Sequence, residues 1–222
     1  MVVLEIVALW VAFAATHLGL SSQRFRPRLV ASLGAQGFQG LYSLVALATF
    51  VPLVWLYFSH QHAGPHLWYV GYLAPVRWLA YLGMAVALSL LVGGLITPSP
   101  ASLTASGAIQ VRGVLRITRH PVLMGLGLFG VVHLLTANVN AAEFAFLAGF
   151  PAFVLLGCWH QDQRKLAGSP DYAGFVAGTH FLPLVGSGSL RGLREALPAL
   201  ALGVGLAVLL RAFHTSWFGG AP

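Results

Sequence analysis

Of the nine histidines in this chain, three fall within or at the edge of long apolar segments: His17, His120 and His133. An ionisable side chain in that setting is a functional candidate, because placing it in hydrocarbon is costly. A neutral imidazole is a good iron ligand, and two of them clamp a haem from opposite faces. Ala14 stands one helical turn before His17, and Gly130 one turn before His133. Residues at that spacing share a helix face, so each histidine has room beside it for a flat ring. Two plainer readings stand beside this one. Small residues let membrane helices approach closely, and a neutral histidine bonded to a carbonyl or hydroxyl needs no ligand. His120 and His133 are 13 residues apart, about 20 Å along one straight helix and on largely different faces, so they do not share an iron. Either is a partner for His17. Depth in the membrane favours His120, whereas Gly130 and the apolar surroundings favour His133.

His120 ends the basic stretch "RGVLRITRHPVLMG", Arg112 to Gly125. Its arginines mark the entrance to a helix, and Pro121 suits the first helical turn, where a missing N–H costs nothing. If haem binds, Arg116 and Arg119 are placed to meet its anionic propionates through charge-assisted bonds, with Arg24 a third candidate. Further along, "CWHQDQRKL" at 158–166 brings His160, Asp162, Arg164 and Lys165 together. Asp162 is the one acid in a region rich in cations and is expected to pair with Arg116 or Arg119. Tyr172 in "SPDYAGF" and Phe181 in "HFLPLVG" read as aromatics at the membrane interface, in a loop and a re-entry.

Several motifs dissolve on inspection. "GLGLFG" at 125–130 matches GxGxxG but lies within an apolar helix, with no strand before it and no acid after it. "HQHAGPH" at 60–66 has three histidines but no carboxylate or cysteine, and its Gly-Pro breaks regular geometry; a solvated loop is the better reading. The single cysteine, Cys158, leaves no internal disulfide and no CxxC motif. Serine nucleophile elbow, HExxH, P-loop and paired carboxylates are all lacking, which removes the usual hydrolase and ATPase readings.

The elements that position these residues follow from composition. The 222 residues are 58% hydrophobic and 8% charged, against about 25% charged in soluble domains, so the chain is a membrane protein. Six apolar segments, approximately 2–20, 38–58, 74–96, 121–136, 141–160 and 196–213, reach or approach the roughly 17–25 residues of a spanning helix. Lipid leaves helices as the only structure for runs of this length. The fold class is therefore all-α, a polytopic helix bundle forming one domain, with segments four and five a tight hairpin around "TANVN". The last helix is apolar from Pro198 to Arg211, and its "GVGLA" suits close packing. The first segment is expected to remain as a helix rather than to act as a signal peptide: no Lys or Arg precedes it, Glu5 lies in it, and the basic cluster follows it. The net charge of +7 comes from arginines between apolar segments, which points to membrane orientation and not to nucleic acid. Placing the loop after helix one in the cytoplasm puts ten of the twelve basic residues inside and both termini outside. Arg77 and Arg211 remain near outer helix ends, where long side chains snorkel.

"THLGLSS", "GLYSLVALATFVPLVWLY", "RGVLRITRHPVLMG", "HLLTAN" and "G..W..D.RKL" ending in "FLP" together resemble the NnrU family of bacterial membrane proteins, to which the plastid and cyanobacterial 15-cis-zeta-carotene isomerase is related. The likeness covers roughly residues 5–185. A weaker one, through "RHP" and the tail, joins both to isoprenylcysteine carboxyl methyltransferases. The resemblance implies haem b in the membrane with axial ligands matching His17 and His133; His120 matches the RHP histidine. Gly130 stands where the isomerase has a cysteine that serves as an alternative ligand, so that switch has no cysteine here. The likeness tips the choice toward His133, against the depth argument. It also implies the bacterial cytoplasmic membrane and a link to nitrite and nitric oxide reduction.

Three functions follow. The first is a haem b protein with redox or cis–trans isomerase chemistry on a hydrophobic small molecule. The second is a methyltransferase acting on a lipid-like substrate with Arg119 and His120 at the cofactor, although the family's Glu-Glu pair is replaced by "DQR" at 162–164. The third is a non-enzymatic accessory factor for denitrification. The lipid bilayer is the one partner that composition names; no protein partner is indicated.

Overall fold

The computed structural model describes residues 1–101 and 110–218. Among these, eight α-helices account for nearly all regular structure: α1 (Val2–Leu20), α2 (Arg26–Ser59), α3 (Ala74–Ile96), α4 (Pro121–Thr136), α5 (Ala141–Gly168), α6 (Pro170–Ala177), α7 (Ser189–Glu195) and α8 (Leu197–Phe218). Five of them (α1, α2, α3, α5 and α8) are long and apolar enough to cross a membrane, and α4 is a shorter apolar helix. A two-stranded ribbon, β1 (His66–Trp68) with β2 (Val139–Asn140), ties the loop after α2 to the α4–α5 hairpin.

The long helices pack as a row in the order α2, α1, α5, α4, α3, α8. Side-chain pairs give the directions. His17 meets Tyr42, and Trp10 meets Phe50, so α1 and α2 are antiparallel. Trp10 donates to the Phe146 carbonyl at 3.1 Å, and Ser21 meets His160 at 3.3 Å, so α1 and α5 are parallel. Gly203 of α8 lies against Ser89, and Arg211 sits over the Tyr81 ring, so α3 and α8 are antiparallel. These directions agree with six successive crossings.

Several boundaries differ from the hydropathy reading; α8, for one, runs to Phe218 instead of 213. α2 begins at Arg26 instead of 38, because a short helical piece precedes the apolar stretch; Gly34, at φ 72° and ψ 169°, breaks the helix between the two. Only glycine takes that conformation without strain. α5 runs two turns past 160, carrying its charged residues to Gly168. The "SPDYAGF" stretch, expected as loop, is α6, with Pro170 in its first turn.

Glycine sets the closest approach in the row. Pro151, inside α5, has no N–H for the Leu147 carbonyl one turn back. Gly130 of α4 lies against that freed carbonyl and against Phe150 and Pro151. The space beside Gly130 is thus filled by α5, and the plainer reading of this residue, close helix packing, holds. Gly130→Val is expected to destabilise the detergent-solubilised protein by about 1–3 kcal/mol, whereas Gly157→Val, where the added atom meets nothing within 4 Å, leaves the melting temperature nearly unchanged. Equal losses in the two variants would contradict this role.

Candidate functional site

Asp162, 4% exposed, sits near the end of α5 facing α4. Arg119 contacts its Oδ2 through Nε at 2.8 Å and Nη2 at 2.7 Å. The Tyr172 hydroxyl donates to Oδ1 at 2.7 Å, and His120 Nε2 stands 2.9 Å from the same oxygen as a charge contact without an aligned hydrogen bond. A buried carboxylate is tolerated only when paired in this way. The segment after α6 closes the cluster. The Arg119 N–H donates to the His180 carbonyl, Thr118 Oγ1 to the Phe181 carbonyl, and the Leu184 N–H to the Ile117 carbonyl. The Phe181 ring lies under the Arg119 guanidinium and edge-on to His120. Burial first, and then the bond to Asp162, push the Tyr172 hydroxyl well above its ordinary range, so it remains a donor.

Arg116 is engaged elsewhere. It meets Glu195 at 3.0 Å, and Glu195 also accepts from the Gly113 backbone N–H at 2.8 Å and from Arg191 at 2.7 Å. Gly113 has φ 54°, which turns its N–H toward that carboxylate. The backbone N–H foremost, then the two arginines, hold the Glu195 carboxyl down at about 2.

The remaining candidates lie apart. His17 packs among Phe13, Tyr42 and Phe153 with ring centroids 5.1, 4.5 and 5.4 Å away. Its Nδ1 is shielded and makes no hydrogen bond. His133 donates through Nδ1–H to the Phe129 carbonyl, 2.9 Å away, and its ring centre is 6.4 Å from that of His214 in α8. α5 stands between α1 and α4 in the row. Along α5, Ser21 is level with His160, while Gly130 is level with Leu147. His17 and His133 are therefore offset by about ten residues, roughly 15 Å along the axis. Imidazole nitrogens sharing one metal lie about 4 Å apart, given bonds of about 2 Å. A haem clamped by both histidines does not fit this arrangement. His17 by itself offers an unengaged, shielded ring nitrogen, with aromatic rings packed around it. His120 is nearer to His17 in depth but faces α4's side of α5 and is held by Asp162.

The NnrU protein family matches residues 5–222. The chain belongs to the NnrU family. Among curated proteins, it is 25% identical over 166 residues to the chloroplastic 15-cis-zeta-carotene isomerase of Zea mays, covering 72% of this chain and 43% of that protein. It is 27% identical over 160 residues to the protein of that name from Arabidopsis thaliana, covering 68% of this chain and 41% of the relative. The NnrU chain thus spans about two-fifths of the length of these relatives. No solved structure matches it.

In this NnrU protein, Asp162 pairs with Arg119 and not with Arg116. Tyr172, read as an interface aromatic, is 1% exposed and bonded to Asp162; an aromatic ring with a hydroxyl looks identical in sequence whether its partner is water or a buried carboxylate. Phe181, also read as an interface aromatic, covers the Arg119 guanidinium. The histidine loop is pinned: Glu143, 2% exposed, accepts the His62 N–H at 2.6 Å and forms a capping box with Asn140. Tyr42, Glu195 and His214 were missed. Only Glu195 carried a signal, as one acid among inner arginines.

Asp162→Ala is expected to cost about 3–5 kcal/mol, because Arg119 loses its buried counter-charge, and Tyr172→Phe about 1.5–3 kcal/mol, one bond to a charged acceptor; thermal unfolding in detergent measures both, and a Tyr172→Phe effect as large as that of Asp162→Ala would contradict the assignment. The Glu195 carboxyl is depressed, so its hold on α7 is complete above its ordinary value of 4.5 and fades as pH falls toward about 2. Proteolysis between α7 and α8 should accelerate over that window in the wild type and be already fast at neutral pH in Glu195→Ala. A flat profile for the wild type would count against the clasp.

Proposed function

We propose that this NnrU-family membrane protein acts on a conjugated apolar molecule dissolved in the bilayer, as a cis–trans isomerase of the kind its curated relatives are named for, with His17 at the reactive centre. The observation that carries the reading is the His17 side chain. It is a polar ring with an unengaged shielded nitrogen at the end of an aromatic column formed by Trp10, Phe13, Phe50, Phe150 and Phe153. Aromatic faces suit a flat polyene, and α1 and α2 form one end of the helix row, where a ligand enters from lipid. Isomerisation changes no atom count; it needs only temporary loss of double-bond order and a rigid wall that selects the product's shape. Phe13 and Phe153 supply that wall beside His17.

Haem b belongs to this proposal as a cofactor ligated by His17. Bound there, it would supply one-electron chemistry to an adjacent double bond. His17 would hold it, with its imidazole positioned by Tyr42 on one side and Phe153 edge-on. Arg119 and His120 contact Asp162, which favours a structural role for them over one at a methyltransferase cofactor. The basic helix ends are assigned to the cytoplasmic face of a bacterial inner membrane.

Two measurements test this. Purified protein in nanodiscs loaded with a cis-polyene, followed by chromatographic separation of isomers, is expected to shift the isomer ratio, and His17→Ala to abolish the shift. In absorption spectra, the reduced haem signal is expected to vanish in His17→Ala and to survive in His133→Ala and His120→Ala. Loss of haem in His133→Ala with the fold intact would overturn the single-histidine assignment; an unchanged isomer ratio in the haem-loaded wild type would overturn the activity.

A further inference from the structure

The inner ends of α1, α2 and α5 gather cations that the proposed chemistry does not use. Arg24 lies in the turn before α2, Arg26 and Arg28 open that helix, and Arg164 and Lys165 lie in the last turns of α5. Among the described residues none of these five takes part in an ion pair; the acids nearby in sequence are Asp162, held on the opposite side of α5 by Arg119 and His120, and Asp171, which is exposed. Two contacts hold the basic groups together. Ser21 Oγ meets His160 Nε2 at 3.3 Å, and Gln23 Nε2 donates to the Gln163 carbonyl at 3.2 Å. The turn carrying Arg24 and Arg26 is thereby fixed onto the turn carrying Arg164. Arg26 is itself oriented, its guanidinium 5.5 Å from the centre of the buried Phe38 ring. Arg164 Nε is shielded from solvent and has no acceptor. A guanidinium fork with an idle buried donor, beside a second arginine that repels it, lacks one thing: an anion with several oxygens.

The surroundings say what carries the anion. Phe25 and Leu33, 48% and 47% exposed, flank the arginines on the short helical piece before Gly34. Apolar side chains next to cations at a helix end match a molecule with acyl chains below a phosphate, as basic pockets between membrane helices do.

We propose that Arg26 and Arg164 form a binding site for the phosphate of an anionic phospholipid at the inner membrane surface. The lipid's phosphodiester lies between the two guanidinium groups, and its chains run outward past Leu33. This site is independent of the His17 reading, since it contains neither the histidine nor its aromatic wall.

Native mass spectrometry of the detergent-solubilised full chain, titrated with phosphatidylglycerol, phosphatidylcholine or inorganic phosphate, tests it. Phosphatidylglycerol is expected to bind at roughly tenfold lower concentration than phosphatidylcholine. Arg164→Gln and Arg26→Gln should each remove most of that preference, Arg164→Lys should restore part of it, and Arg194→Gln, an exposed inner cation without an ion pair, should leave it intact. Melting temperatures without lipid separate lost binding from lost folding: removing an unpaired shielded charge should leave Arg164→Gln no less stable than the wild type. Competition by inorganic phosphate would support the phosphate chemistry and assign the source to solution; absence of competition would assign it to lipid. Equal binding of the two lipids, or an equal loss in Arg194→Gln, would overturn the site.

Discussion

A single buried carboxylate organises the end of the bundle where α5 finishes and α4 begins. Asp162 reaches from α5 to the entrance of α4 through Arg119 and His120, and to α6 through Tyr172. Four pieces of chain separated by up to tens of residues are thereby fixed: the end of α5, the "RHP" turn, α6 and the segment 180–184. Electrostatics explains why so few groups hold so much. In a low-dielectric interior, a charge left unpaired is far more costly than a neutral group, so each partner of Asp162 is required by the others. The cluster does not add free energy so much as it excludes arrangements in which any member is solvated or alone.

The same cluster redistributes the chemical possibilities. An arginine and a histidine at a helix entrance look like cofactor contacts when read in isolation. Here their polar atoms face Asp162, and two buried groups with unengaged atoms, His17 Nδ1 and Arg164 Nε, are on the other side of α5. α5 acts as a partition. Its α4 face carries the internal salt bridge, while toward α1 and α2 it carries an aromatic column ending in His17 and a cationic rim; Phe150 of that column also reaches Phe129 of α4. The substrate and the anionic lipid proposed above are both placed on that second face, which lies toward the end of the helix row.

Much of this was legible in the sequence, and what was not has physical reasons. Helix class, number and the entrance of α4 at Pro121 follow from apolar run length and proline chemistry. Helix ends were misplaced where charged residues continue the helix into the headgroup region, as at Gln161–Gly168 of α5, since hydropathy reports solvent and not backbone geometry. The row order was hidden because helices apolar on every side show no face to pair. Without the order, the sequence left open whether His133 or His120 partners His17, and matching depth gave no warning that α5 intervenes. The Asp162–Arg119 pair was half-visible, as one acid among several cations. Tyr172 was not, because its role depends on α6 folding back onto α5. Arg116 found Glu195 across 79 residues, a pairing that only tertiary structure reveals.

The central claim is the partition: α5 lies between α1 and α4 and keeps His17 away from His133. Disulfide cross-linking in membranes, with paired cysteines introduced in a Cys158→Ala background, tests it most directly. Ser21→Cys with His160→Cys is expected to cross-link rapidly, since those side chains are in contact, and His17→Cys with His133→Cys to remain reduced under the same oxidant. Efficient cross-linking of the second pair would place the two histidines face to face and contradict the account.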